Sequence, residues 1–187
     1  MLDKLLQGVE VRSLVGDGTV AVGRLEFDSR KVVPGTLFFA TRGTQADGHA
    51  YIPAAVAAGA AAVVCEELPA ERPVGVTFVQ VPDSTVALGQ VASAFYGHPS
   101  RRLKLVGVTG TNGKTTTATL LYRMFRRLGY KAGLISTVVY CVDDREIPST
   151  HTTPDSIRLN AMMAEMVEAG CDYCFMEVSS HSLVQHR

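Results

Sequence analysis

The chain has 187 residues, enough for one large domain or two small ones with a buried core in either case. Its 18 Lys and Arg balance its 18 Asp and Glu, so no net field draws it to nucleic acid or to an anionic membrane. No stretch reaches the ~18 apolar residues of a membrane span, the opening MLDKLLQGVEVRSL lacks the plan of a signal peptide, and four cysteines fit thiols rather than a disulfide framework; a soluble, cytoplasmic protein is expected.

In chain order, β-rich apolar runs alternate with helical patterns: 36–40, the alanine-rich 50–58, 61–64, 77–81 and 83–96. That alternation predicts an α/β fold. In the helix at 83–96, Leu88, Val91, Ala92 and Phe95 recur at helical spacing, and Asp83 or Ser84 is placed to cap its start. Gly97-His98-Pro99-Ser100 then breaks the pattern. A domain boundary is placed there, giving domains at 1–98 and 99–187.

The second domain begins with a strand at 103–109, a loop, and a helix at 114–128. Leu120, Leu121, Met124, Phe125 and Leu128 are expected to form the buried stripe of that helix, with Gly129 at its left-handed end. Strands follow near 132–136 and 137–142. Thr153-Pro154-Asp155 reads as a helix start with Thr153 as the cap and Pro154 in the first turn. Leu159, Met162, Met163, Met166 and Val167 then recur at helical spacing as a core stripe. A short buried strand at 173–176 runs into Glu177-Val178-Ser179-Ser180-His181.

The strongest chemical signal is the segment 107–116, GVTGTNGKTT. A nucleoside triphosphate needs backbone N–H groups turned inward, glycines where side chains would collide, and a helix N-terminus that favours anions. Gly110, Gly113 and the helix from Lys114 supply all three. Lys114 is placed to reach the β- and γ-phosphates of ATP, and the Thr115 hydroxyl to ligate Mg²⁺. The segment departs from the general signature at one position, since Val108 stands five residues before Gly113 where a glycine is usual. It therefore points to a particular subset of such proteins. Glu177 ends a buried strand, where ligands of open α/β sheets collect, and a carboxylate there is placed to hold or orient Mg²⁺.

Cys171 and Cys174, followed by His181 and His186, invite a zinc reading, but only six residues separate Cys174 from His181. A zinc finger of this kind needs about a dozen residues between its pairs. Buried thiols are expected instead, with Cys171 and Cys174 on opposite faces if Cys171 begins the strand.

Three separated blocks resemble the N-terminal part of a Mur ligase, most nearly the MurE type, which adds the third peptide residue to UDP-N-acetylmuramoyl-L-alanyl-D-glutamate. The first block runs from Asp28-Ser29-Arg30 through Pro34-Gly35 and Leu37-Phe38-Phe39-Ala40 to Gln45-Ala46-Asp47-Gly48-His49. It is similar to the UDP-binding domain of both MurE and MurF types. The second, 109–116, looks like the MurE loop with its Thr-Asn pair. The third joins Thr152-Thr153-Pro154 to Glu177-Val178-Ser179-Ser180-His181 and to Gln185 and Arg187.

The resemblance implies a UDP-precursor-binding α/β domain followed by the first part of a phosphate-loop ATPase domain with a mostly parallel sheet. It implies that Ser29, Thr44, Gln45 and Ala46 contact the uridine end of the substrate. Thr152, Thr153, Ser179, Gln185 and Arg187 would hold its sugar, phosphates and peptide, beside His151, which stands where MurE types commonly have Asn. Gly110, Thr111, Asn112, Gly113, Lys114, Thr115 and Thr116 would bind ATP. Thr115 and Glu177 would bind Mg²⁺, with Lys114 and Glu177 as the catalytic pair. The implied partners are UDP-N-acetylmuramoyl-dipeptide and an amino acid, diaminopimelate or lysine, acting on a monomer. A carbamylated lysine, further metal contacts and the acceptor-binding domain of the family are expected beyond Arg187. A short module that binds a UDP-sugar or ATP without turnover, a MurF-type ligase and a folylpolyglutamate-type ligase stay open as alternatives.

Overall fold

The computed structural model describes residues 1–43, 46–148 and 154–179. They form two compact units, 1–94 and 95–187, which divide a few residues ahead of the Gly97–Ser100 break.

The first unit opens with a short helix α1 (Leu2–Leu5) and strands β1 (Ser13–Val15) and β2 (Arg24–Glu26). Then come β3 (Thr36–Phe39), α2 (Ile52–Ala57), β4 (Ala60–Cys65), β5 (Thr77–Gln80) and α3 (Ser84–Phe95). The sheet order is β1-β5-β4-β3-β2, and only the β1–β5 pair is antiparallel. Strands β3 and β4 are continuous apolar runs because a parallel sheet is covered on both faces. Phe38, Val63 and Phe78 meet Ile52 and Ala55 of α2 in one core cluster. Asp83 is the cap of α3: its carboxylate accepts from the Thr85 and Val86 backbone N–H groups at 2.8 and 2.9 Å.

The second unit contains β6 (Lys104–Val108), α4 (Lys114–Arg127), β7 (Ala132–Ile135), β8 (Val139–Val142), β9 (Arg145–Pro148), α5 (Ser156–Glu168) and β10 (Tyr173–Glu177). Its sheet order is β6-β10-β7-β8-β9, parallel from β6 to β7 and antiparallel beyond. Across both sheets parallel pairs outnumber antiparallel ones, as expected of a mostly parallel α/β architecture. The topology inserts β10, the last strand in sequence, between β6 and β7. Glu177 is thereby carried alongside the strand that feeds the glycine loop.

Among the described residues, helices α4 and α5 cover the second sheet. Met162, Met163 and Met166 of α5 pack with Leu103, Tyr140 and Cys174, so the methionine stripe is core. Helix α4 instead presents Ala118, Leu121, Tyr122 and Phe125 to Leu134 and Phe175. This corrects the expected stripe, since Leu120, Met124 and Leu128 are 60%, 48% and 65% exposed. The helix is apolar on two adjacent rows, and periodicity does not say which row meets the sheet. At the sheet edge, β6 exposes Leu105 and Val106.

Helix α5 also corrects its expected start. Asp155 is the cap, its carboxylate accepting from the Arg158 N–H at 2.9 Å, and Pro154 lies before the helix. Strand β9 was not foreseen. It returns from β8 through Asp143, in the left-handed region at φ 53°, and Arg126 of α4 pairs with both Asp143 and Asp144. All four cysteines are buried thiols. Cys171 lies in the turn before β10 rather than in it, so Cys171 and Cys174 share one core cluster instead of facing opposite ways.

Candidate nucleotide and UDP-precursor sites

Strand β6 delivers the chain at Val108 to a loop whose two critical glycines take positive φ, Gly110 at 149° and Gly113 at 80°. Only glycine adopts these angles freely. Gly113 is the N-cap residue of α4, and its carbonyl accepts from the Thr117 N–H at 2.8 Å. The loop thus ends on a helix N-terminus with free backbone donors and the positive end of the dipole. Thr111 and Asn112 are exposed beside it, as is Thr116 in the first turn. Lys114 folds back so that Nζ donates to the Gly110 carbonyl at 2.7 Å, which closes the loop on itself.

Glu177 sits at the C-terminal end of β10, paired in register with Val108, and is 7% exposed. One carboxylate oxygen accepts from the Thr115 hydroxyl at 2.5 Å. The other accepts from the backbone N–H of Thr137, in the turn between β7 and β8. Beyond it, the Val178 N–H donates to the Val108 carbonyl at 2.8 Å and holds the start of the loop against β10. Ser179 follows, partly buried. The contact from Thr137 was not legible in the sequence, because a backbone N–H carries no side-chain signature. The Thr115 hydroxyl and the Glu177 carboxylate are adjacent hard oxygen donors, a set that suits Mg²⁺.

In the first unit, Ser29 opens a single 3₁₀ turn, 29–31, capped by Asp28. The Asp28 carboxylate accepts from the Arg30 backbone at 3.1 Å and from its guanidinium at 2.9 Å, and the Arg30 side chain holds the Asp28 carboxyl below its ordinary pKa. Ala46 is exposed, its carbonyl accepting from the Gly43 N–H at 3.0 Å in a small loop bridged between Arg42 and Asp47. Thr44, Gln45, His151, Thr152, Thr153, Gln185 and Arg187 lie outside the described residues, as do His181 and His186. The structure therefore brings together Lys114, Thr115 and Glu177, and places Ser29 and Ala46 in the other unit.

A glycine-bent loop leading from a parallel strand into a helix, with an acidic strand end hydrogen-bonded to the helix's first hydroxyl, is the arrangement of the phosphate-loop class of α/β proteins. Residues 108–187 match the Mur ligase middle domain, and residues 22–96 match the model described as Mur ligase family, catalytic domain. The chain is 54% identical over 187 residues to a UDP-N-acetylmuramoyl-L-alanyl-D-glutamate--2,6-diaminopimelate ligase of Bacteroides thetaiotaomicron, covering all of this chain and 39% of the relative. A ligase of the same name from Chlorobaculum tepidum is 51% identical over 92% of this chain and 34% of its own length. Among solved structures, one of a ligase with that name superposes with a TM-score of 0.72 at 25% identity, over 88% of this chain and 33% of the other. The MurF ligase of Thermotoga maritima, solved in complex with ADP, superposes with a TM-score of 0.54 at 25% identity, over 82% and 31%. The chain belongs to the Mur ligase family. It spans about two fifths of the length of curated Bacteroides relatives with that name.

Proposed function

We propose that this chain is the N-terminal part of an ATP-dependent, ADP-forming amide ligase that adds the third amino acid to UDP-N-acetylmuramoyl-L-alanyl-D-glutamate in peptidoglycan synthesis. The observation that carries the reading is the Lys114–Thr115–Glu177 constellation at the mouth of the glycine loop, in a chain whose relatives bear that name. The same names favour 2,6-diaminopimelate over lysine as the acceptor. A cytoplasmic location and a role in cell-wall growth, and so in cell shape and division, follow from this reading.

A carboxylate does not condense with an amine at neutral pH, so it must first be activated. A substrate carboxylate oxygen attacks the γ-phosphorus of ATP, the bond to the β-phosphate oxygen breaks, and ADP leaves. The amine then attacks the acyl carbon, inorganic phosphate departs and the ammonium proton is lost. Lys114 leaves the Gly110 carbonyl to neutralise charge on the β- and γ-phosphates, while the loop N–H groups and the α4 N-terminus hold them in line. Thr115 and Glu177 would hold Mg²⁺, which supplies further charge neutralisation at the phosphates. Glu177 also fixes the Thr115 hydroxyl through its own hydrogen bond. Ser29 and the segment at Ala46 hold the uridine end, and Ser179 the sugar-phosphate side.

The test is made on the native full-length protein, after its intact mass is compared with the 20.0 kDa of this chain. It is given ATP, Mg²⁺ and UDP-N-acetylmuramoyl-L-alanyl-D-glutamate with either diaminopimelate or lysine. ADP release that needs both substrates and diaminopimelate is expected. A full-length protein that binds the precursor and ATP yet releases no ADP with either amino acid overturns the ligase reading.

A further inference from the structure

His49 has no role in the sites described above, yet both of its ring nitrogens are engaged beside the loop that carries Ala46. Its Nδ1 lies 2.6 Å from the Asp47 carboxylate, which also accepts from the His49 backbone N–H at 2.9 Å. Its Nε2 accepts from the Glu66 backbone N–H at 2.9 Å, with the Glu67 N–H at 3.4 Å. These partners define the proton positions: Nδ1–H donates to a carboxylate, and the Nε2 lone pair faces two donors. The ring thereby latches the loop before the 3₁₀ turn at Gly48–Tyr51 to the end of β4.

The loop is closed locally by the Gly43 and Gly48 N–H groups, which donate to the Ala46 and Thr41 carbonyls at 3.0 and 2.9 Å. The charged groups around His49 are Asp47 on its own loop, Arg42 across the bridge, and Glu66 and Glu67 at the end of β4. Arg42 pairs with Glu66, Glu67 and Asp47, and the other oxygen of Glu66 accepts from the Ser84 N–H and hydroxyl at 3.1 and 2.9 Å. Glu66 is thus committed elsewhere, and what it offers His49 is its backbone N–H.

We infer that His49 is a positioning residue for uridine-nucleotide binding, its Nδ1 on Asp47 and its Nε2 on the Glu66 N–H together holding the Ala46 segment against the end of β4. The inference rests on the reading that Ala46 contacts the uridine end. Binding of a uridine nucleotide should therefore need a hydrogen-bond acceptor at the position of Nε2, facing the Glu66 and Glu67 N–H donors.

The experiment titrates UDP-N-acetylglucosamine into the 187-residue chain at pH 8 by calorimetry. His49→Ala is expected to lose about tenfold in affinity, the worth of one lost hydrogen-bonded anchor. His49→Gln presents an amide oxygen to the Glu66 N–H, so its affinity should stay within about twofold of the wild type. Nitrogen-15 spectra of the ring report the Nδ1–H tautomer independently of ligand. Wild-type affinity in a folded His49→Ala, or no rescue by a folded His49→Gln, overturns the inference and leaves the uridine reading standing. A folded wild type that does not bind at pH 8 overturns the uridine reading and the positioning role with it.

Discussion

The Thr115 hydroxyl donates to the Glu177 carboxylate at 2.5 Å although 62 residues separate them in sequence. The contact exists because β10 enters the sheet beside β6, and it ties the glycine loop to the strand end that also anchors Thr137.

Glu177→Ala leaves the Thr115 hydroxyl and the Thr137 N–H without their acceptor. Stranding buried donors costs about 1–3 kcal/mol, so the melting temperature of the second unit should fall by several degrees. Glu177→Gln keeps an acceptor for Thr137 and should melt close to the wild type, yet lose the Mg²⁺ dependence of ADP affinity. Scanning fluorimetry with a Mg²⁺ titration separates the two effects, and a Gln variant that responds to Mg²⁺ like the wild type removes Glu177 from the metal site.

Lys114→Ala should lower ATP affinity by about a hundredfold, the loss of charge-assisted hydrogen bonds to phosphate, and leave precursor affinity within about threefold. Ser29→Ala should do the reverse, weakening the precursor by about tenfold through one lost hydrogen bond with ATP unaffected. Calorimetry on both variants checks this. Loss of both ligands in either variant, with the fold preserved, counts against separate sites.

Burial pushes the Cys174 thiol up to about 12 and the Cys65 thiol up to about 11. The reactive thiolate is therefore scarce at pH 8. Iodoacetamide at that pH should modify neither residue in the native chain within an hour, and both after unfolding in guanidinium, as read by intact mass. Rapid native labelling of Cys174 would show that the core around α5 opens.

A methyl group at Gly48 would lie 2.7 Å from the Thr41 carbonyl oxygen, 2.8 Å from its nitrogen and 3.0 Å from the Ala40 carbonyl carbon, all backbone atoms. Gly48→Ala should cost about 1–3 kcal/mol through this overpacking, seen as a lower urea midpoint for the first unit. A midpoint equal to the wild type would mean that the 40–48 segment gives way.

The α/β architecture was legible because β3, β4 and β10 are apolar runs bounded by turn residues, and the glycine loop announced itself through Gly110, Gly113 and Lys114. Strand β9, Arg-Glu-Ile-Pro, is a solvent-facing edge hairpin with no apolar run to mark it. The buried row of α4 was misread because Leu120, Met124 and Leu128 are as apolar as Leu121 and Phe125, and only the sheet decides which row it covers. The cap of α5 was placed two residues early because Thr153 and Asp155 are both residues that cap helices. At the site, side-chain donors were foreseen, whereas the N–H of Thr137 and the clasp around His49 arise from tertiary folding alone.

Among the described residues, β6 pairs only with β10, and its outer side carries a row of backbone donors and acceptors next to the exposed Leu105 and Val106. A parallel strand with apolar faces and an open margin is a template for any extended segment that drifts against it. For this chain handled at high concentration, that margin, rather than the glycine loop or the helices, is where intermolecular β-pairing and loss of solubility would start.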